Sequence, residues 1–188
     1  IHRRLVGSEM CIRDRYMSNP FSATGNFDIR YDEAGRRLQC PIYLDLAFGG
    51  TTGEHTIKMY ENVEQVFWSC SKPYGLNLLR AGIRFSRKEE LLQREIQGAG
   101  YFNHAIIDVF RQVTLNSSVF AKKEKYANLQ DQICEKFNLT PSDSYLVGTT
   151  NDEQWDRFKR ETGINRVCLT PVYELSLIHI SEPTRRLC

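Results

Sequence analysis

Ser69, Cys70, Ser71, Lys72, Pro73, Tyr74 and Gly75 form a Ser-rich turn around one lysine, and Arg80 follows that lysine by eight residues. Upstream, Asp45 closes the apolar run Cys40-Pro41-Ile42-Tyr43-Leu44, and Asn19-Pro20-Phe21-Ser22-Ala23-Thr24-Gly25 makes an earlier turn. A lysine amine adds to a carbonyl carbon once burial or a neighbouring cation has lowered its basicity. A carboxylate at the end of an apolar strand is costly to bury, which suits it to keeping a neighbouring base protonated. An arginine fork and a serine hydroxyl can grip a phosphate. By residue type alone, Lys72 also reads as an exposed turn lysine and Asp45 as an acid emerging at a strand end. Arg80 and Ser69 likewise read as a surface arginine and a turn serine.

The order and spacing of these residues resemble the class I/II aminotransferases, the fold-type-I enzymes that use pyridoxal 5'-phosphate (PLP). Asp45 precedes Lys72 by 27 residues, as in compact members of that family, and Arg80 and Gly82 fall in register. The resemblance implies that Lys72 forms the imine with the cofactor aldehyde and then acts as the catalytic acid and base. It implies that Asp45 keeps the pyridine nitrogen protonated, and that Arg80 and Ser69 bind the phosphate. It further implies an amino acid and a 2-oxo acid as small-molecule substrates and a homodimer when the chain is complete, while the widely spaced cysteines, read as free thiols, fit a cytoplasmic protein. Neither nucleic acid nor membrane is expected as a partner. Arg166 opens Arg166-Val167-Cys168-Leu169-Thr170, which resembles the strand whose arginine holds the substrate α-carboxylate; an edge-strand arginine reads the same. Two positions depart from the family. Ser22 replaces an Asn, and Phe48 a Tyr, that donate to the 3-oxygen of the cofactor ring. Ser22 keeps a hydroxyl; Phe48 offers no donor. Other fold-type-I reactions, β-elimination or decarboxylation, therefore stand beside amino transfer, as does a non-catalytic PLP-binding regulatory domain.

The two ends of the chain have a different origin. Residues 175–185 (LSLIHISEPTR) can be encoded by a DNA string whose reverse complement translates as residues 5–14 (LVGSEMCIRD). That inversion resembles a transposase-type sequencing adapter, so residues 1–15 and 175–188 are expected to be adapter-derived tails. The remainder is expected to be a fragment that binds PLP weakly and is inactive by itself. Setting the tails aside removes Arg3, Arg4, Arg13, Arg15, Arg185 and Arg186 with Glu9, Asp14 and Glu182, and turns the net charge from +2 to −1. The basic balance is thus no argument for a nucleic-acid or membrane surface.

Cys40, Cys70, Cys134 and Cys168 show no CxxC or Cys/His metal spacing, so they read as free buried thiols, and no metal site is expected. No apolar run reaches the roughly 18 residues of a membrane span. The Gly49–Gly53 loop lacks the lysine of a phosphate-binding P-loop.

Periodicity predicts a short helical turn within 28–37 and strands at 39–47, 64–70 and 79–85. Helices are expected at 88–97, 105–113, 119–137 and 152–161, a loop at 138–142, and strands at 144–147 and 165–173. The class is therefore α/β. Residues 16–85 read as the second half of an incomplete large domain of fold type I, with a mostly parallel sheet. Residues 86–174 read as helices and an α+β C-terminal domain.

Overall fold

The computed structural model describes residues 15–76, 81–160 and 162–173. In chain order the elements are β1 (Arg15–Ser18), α1 (Ile29–Arg37), β2 (Ile42–Asp45), β3 (Val63–Ser69), α2 (Ser71–Tyr74) and β4 (Gly82–Ser86). They continue with α3 (Leu91–Gly98), α4 (His104–Asn116), α5 (Ala121–Lys136), β5 (Thr140–Pro141), β6 (Val147–Thr150), a 3-10 helix (Glu153–Phe158) and β7 (Asn165–Cys168). The first sheet runs β1-β2-β3-β4; its first three strands are parallel and β4 is antiparallel to β3. The second is an antiparallel β5-β6-β7 sheet. A mostly parallel sheet followed by an α+β unit is the architecture expected from the sequence.

The short helical turn expected within 28–37 is a full nine-residue helix, Ile29–Arg37. The Asp28 side chain caps it by accepting from the Arg30 amide, and Arg36 and Arg37 occupy its last turn, where cations suit the helix dipole. Its inner face buries Tyr31 and Ala34 against Ile42, Leu44, Tyr60 and Val63, the core of the first sheet. α5 builds the second core, placing Ile133 and Cys134 on Leu139, Tyr145, Val167, Leu169 and Tyr173.

The largest departures lie in the second unit. Thr140 and Pro141, expected in a loop, pair with β6. β6 begins at Val147, where the predicted strand 144–147 ends, because a buried turn occupies 142–146. Of the helix expected over 152–161, only Glu153–Phe158 is helical, as a 3-10 helix capped by Asp152, and residue 161 lies outside the described residues. The 165–173 strand stops at Cys168 and gives way to a helical turn over 170–173, in which Pro171 suits the first turn.

Gln130 organises that buried turn. It is 1% exposed, and its Nε2 donates to the carbonyls of Ser142 (2.9 Å), Ser144 (3.0 Å) and Val147 (3.2 Å). Ser142 Oγ also donates to the last two carbonyls, so they are not stranded if Gln130 is lost. Gln130→Leu is expected to lower the unfolding free energy by about 1–2 kcal/mol. Chemical denaturation reads this directly, and a loss near zero would mean that the turn holds without the amide.

The turn docks the two units together. The Ser144 amide donates to Gly25 O (3.0 Å), the Tyr145 amide to Thr51 O (3.0 Å), and the Thr51 and Ser144 hydroxyls meet at 2.7 Å. Asp143 Oδ2 accepts from the Phe27 amide (2.9 Å), and the Asp143 amide donates to Asn26 Oδ1 (2.8 Å). Gly25, at φ +77°, sits so close that a Cβ there would lie 2.6 Å from Ser142 Oγ. Glycine is needed at this position for both its backbone conformation and the space.

Arg15, counted with the first tail, opens β1 opposite Ile42; its ladder contact is made by backbone, which any residue supplies. Residues 1–14 and 174–188 lie outside the described residues. Cys70 and Cys134 are buried thiols whose pKa values burial pushes up, but Cys40 is only half-buried, and Cys168 is exposed beyond its core-facing neighbour Val167. No helix among the described residues is long and apolar enough to cross a membrane. Among those residues there is also no group of three or more His, Cys, Asp or Glu able to hold a metal.

Candidate active site

The carboxyl ends of the three parallel strands form one edge. Ser18 is opposite Asp45 and Asp45 is opposite Phe67, two residues before Ser69. In open parallel sheets the ligand crevice lies outside this edge. The 19–25 turn springs from it: the Asn19 amide donates to Asp45 O (3.0 Å), and the buried Asn19 side chain accepts from the Asp28 amide (3.0 Å). Ser22 is exposed on this turn.

Asp45 follows the fully buried Leu44 but is itself exposed, and its Oδ1 accepts from the Ala47 amide at 2.7 Å. The burial cost expected from its place in the sequence therefore does not arise. The strand runs one residue past the buried Leu44, so the carboxylate stays in water. Ser69 is half-buried at the end of β3, where its Oγ accepts from the Ser71 amide (3.3 Å) and turns the chain into α2. α2 ends at Gly75 in the left-handed region, φ +68°. Arg80 lies outside the described residues.

Lys72 and Arg166, far apart in sequence, meet on one aromatic ring. Lys72 Nζ is 4.4 Å from the centroid of the Phe48 ring, and the Arg166 guanidinium carbon is 5.5 Å from it. Phe48 is 4% exposed, and a desolvated ring face attracts a cation by roughly 1–2 kcal/mol. Phe48 thus departs from a donor role yet holds the two cations of the site. Burial, with Arg160 adding like charge, pushes the Arg166 pKa down. The Arg166 Nε is buried without a hydrogen-bond partner. A buried guanidinium N–H left unpaired is costly, so this side chain is suited to receive an anion.

The structure therefore brings Lys72, Phe48 and Arg166 into contact and sets Asp45, Ser69 and the Ser22 turn along one edge. This donor set fits an aldehyde cofactor carrying a phosphate: an amine at Lys72, a hydroxyl at Ser69 and a carboxylate at Asp45. Phe48 supplies no hydrogen bond to such a group. Sequence reasoning missed Lys122, Tyr126 and Thr170, which line a cavity of about 250 Å³ together with Lys72. No spacing relative to Lys72 marks them, because α5 carries Lys122 and Tyr126, and the helical turn after β7 carries Thr170.

No family model and no curated protein matches this chain. Among solved structures, it is similar to one described as an aminotransferase from Staphylococcus aureus, at 14% identity and a TM-score of 0.62, over 89% of this chain and 57% of that one. It is also similar to L-threonine-O-3-phosphate decarboxylase from Porphyromonas gingivalis, at 15% identity and a TM-score of 0.60, over 93% of this chain and 66% of that one. The fold is shared with both, and the chain spans less than two thirds of either length.

Proposed function

We propose that this chain is part of a PLP-dependent enzyme of fold type I that transfers an amino group between an amino acid and a 2-oxo acid. The observation that carries the reading is the meeting of an amine, Lys72, and a half-buried guanidinium, Arg166, on the Phe48 ring. When bound, the cofactor supplies an electron-accepting ring that stabilises negative charge at the substrate α-carbon. Asp45, exposed at the carboxyl edge of the sheet, would hold a proton on the ring nitrogen. Ser69, with Arg80 on the sequence resemblance, binds the phosphate. Arg166 pairs its unsatisfied Nε–H with the substrate α-carboxylate and so orients the α-carbon. The Lys72 amine would serve as the acid and base that moves the proton at the substrate α-carbon, and Phe48 would keep that amine in place and exclude water from one side of it.

Decarboxylation is the second reading. It is favoured by the missing hydroxyl at Phe48 and by the shared fold with a decarboxylase. The test uses a chain carrying the whole fold, loaded with PLP and offered single amino acids with 2-oxoglutarate. Glutamate formation is the expected result. Release of carbon dioxide without glutamate would move the assignment to decarboxylation. PLP binding with neither product would make it a regulatory module.

A further inference from the structure

Lys72 shares its cavity with a second lysine. Lys122 stands in the first turn of α5 and, with Lys72, lines the 250 Å³ cavity whose walls include Gly75, Tyr126 and Thr170. Lys122 Nζ is packed onto the end of α2: a Cβ built at Gly75 would lie 2.1 Å from it. The bare Gly75 backbone thus makes the room that the ammonium occupies, three residues beyond Lys72. The facing wall is aromatic and fixed. The Tyr126 ring stacks on Tyr173 at 4.8 Å and on Tyr145 at 5.6 Å, and the Tyr173 hydroxyl is committed to Tyr145 O.

None of the ion pairs among the described residues involves Lys122. Burial, and then the like charge of Lys125, lowers its pKa. A half-buried ammonium close to another lysine, and with no carboxylate paired to it among the described residues, is unfavourable by itself, and an anion in the cavity offsets both penalties. The volume matches about eight waters at their liquid density, room for a phosphate or a carboxylate on a few carbons.

We propose that Lys122 binds the anionic side-chain end of the substrate, a carboxylate or a phosphate, in the cavity it shares with Lys72. The assignment to a substrate rests on Lys72 being the amine that carries the cofactor. It makes the enzyme selective for acidic or phosphorylated amino acids over neutral ones, by about ten- to a hundred-fold for one charge-assisted contact.

The test does not need the cofactor. In the full chain, lysines are labelled by reductive ¹³C-methylation, and the Lys122 resonance is identified by its loss in Lys122→Gln. Inorganic phosphate and propionate are then titrated separately at constant ionic strength. A saturable shift of the Lys122 resonance that persists in Lys125→Gln is expected. Saturation with phosphate alone assigns a phosphorylated substrate; saturation with propionate assigns a carboxylate. The same cavity is read from the Tyr126 ring resonances, whose shift should vanish in Lys122→Gln and return in Lys122→Arg. A shift proportional to salt alone, or a Tyr126 response undiminished in Lys122→Gln, would overturn the proposal. Saturable binding at Lys122 in a chain whose Lys72 fails to capture PLP would leave an anion site but remove its assignment to a substrate.

Discussion

Lys72→Ala is expected to abolish covalent capture of PLP, and to lower amino transfer in a chain carrying the whole fold by about 10²–10⁴-fold, the usual size of a positioned acid and base. The physical reason is that no other described amine is packed on the Phe48 ring at the carboxyl edge of the parallel strands. Lys72→Arg keeps a cation on that ring and so preserves packing, but it cannot form the linkage; it separates loss of chemistry from loss of fold. The measurement is borohydride reduction of the chain in millimolar PLP, followed by mapping of the labelled peptide. The adduct should fall on the peptide containing Lys72 and disappear in both variants. An adduct placed mainly on Lys122, or spread evenly over the surface lysines, would end the reading of the site.

Phe48→Tyr is expected to lower the pKa of the Lys72–cofactor linkage by about one to two units. A tyrosine hydroxyl at this position would donate to the ring 3-oxygen and stabilise its anionic form. The anion then depends less on the neighbouring protonated linkage, which gives up its proton at lower pH. A hydrogen bond to a charged group is worth roughly 1.5–3 kcal/mol, and one pKa unit is about 1.4 kcal/mol, which sets the size of the shift. The ring face that meets Lys72 and Arg166 is unchanged by a hydroxyl at the ring edge, so both cations should stay in place. A spectral pH titration of the linkage in both forms measures the shift. Equal pKa values would show that the edge of Phe48 does not face the 3-oxygen, and the correspondence drawn around Asp45 would have to be redrawn.

The sequence by itself determined the elements whose signals are local. A short apolar run marked β2, and Ile42 and Leu44 are fully buried there. The Ser-rich turn marked the place where β3 passes into α2, and Ser69 bonds the Ser71 amide at that point. The order Asp45, Lys72, Arg80 suggested a PLP site, and it did so through resemblance to a family, since spacing alone left an α/β chain with an eligible lysine. Local signals failed where backbone partners are distant. The 142–146 turn is held by Gln130 on another helix, so a short apolar run that reads as a strand is instead a buried turn. Nine residues after α1's cap read as polar, and only Tyr31 and Ala34 meeting Tyr60 and Ile42 made them a helix.

Tertiary structure alone decided the site's contacts. The seam between Gly25, Thr51 and residues 143–145 sets the second sheet on the first, and that seam brings Arg166 to Phe48. Phe48 read in sequence as a donor lost; in space it is the ring that two cations share. Asp45 read as an acid costly to bury and is exposed, because a strand's last residue can clear the core by a single step. Lys122 carried no reading of its own in the sequence beyond its place in the expected helix 119–137. It joined the site only because Gly75, lacking a side chain, leaves room for its ammonium beside Lys72. Residue type states which chemistry is available, whereas proximity between distant segments follows from how two hydrophobic cores dock, and no local pattern encodes that distance.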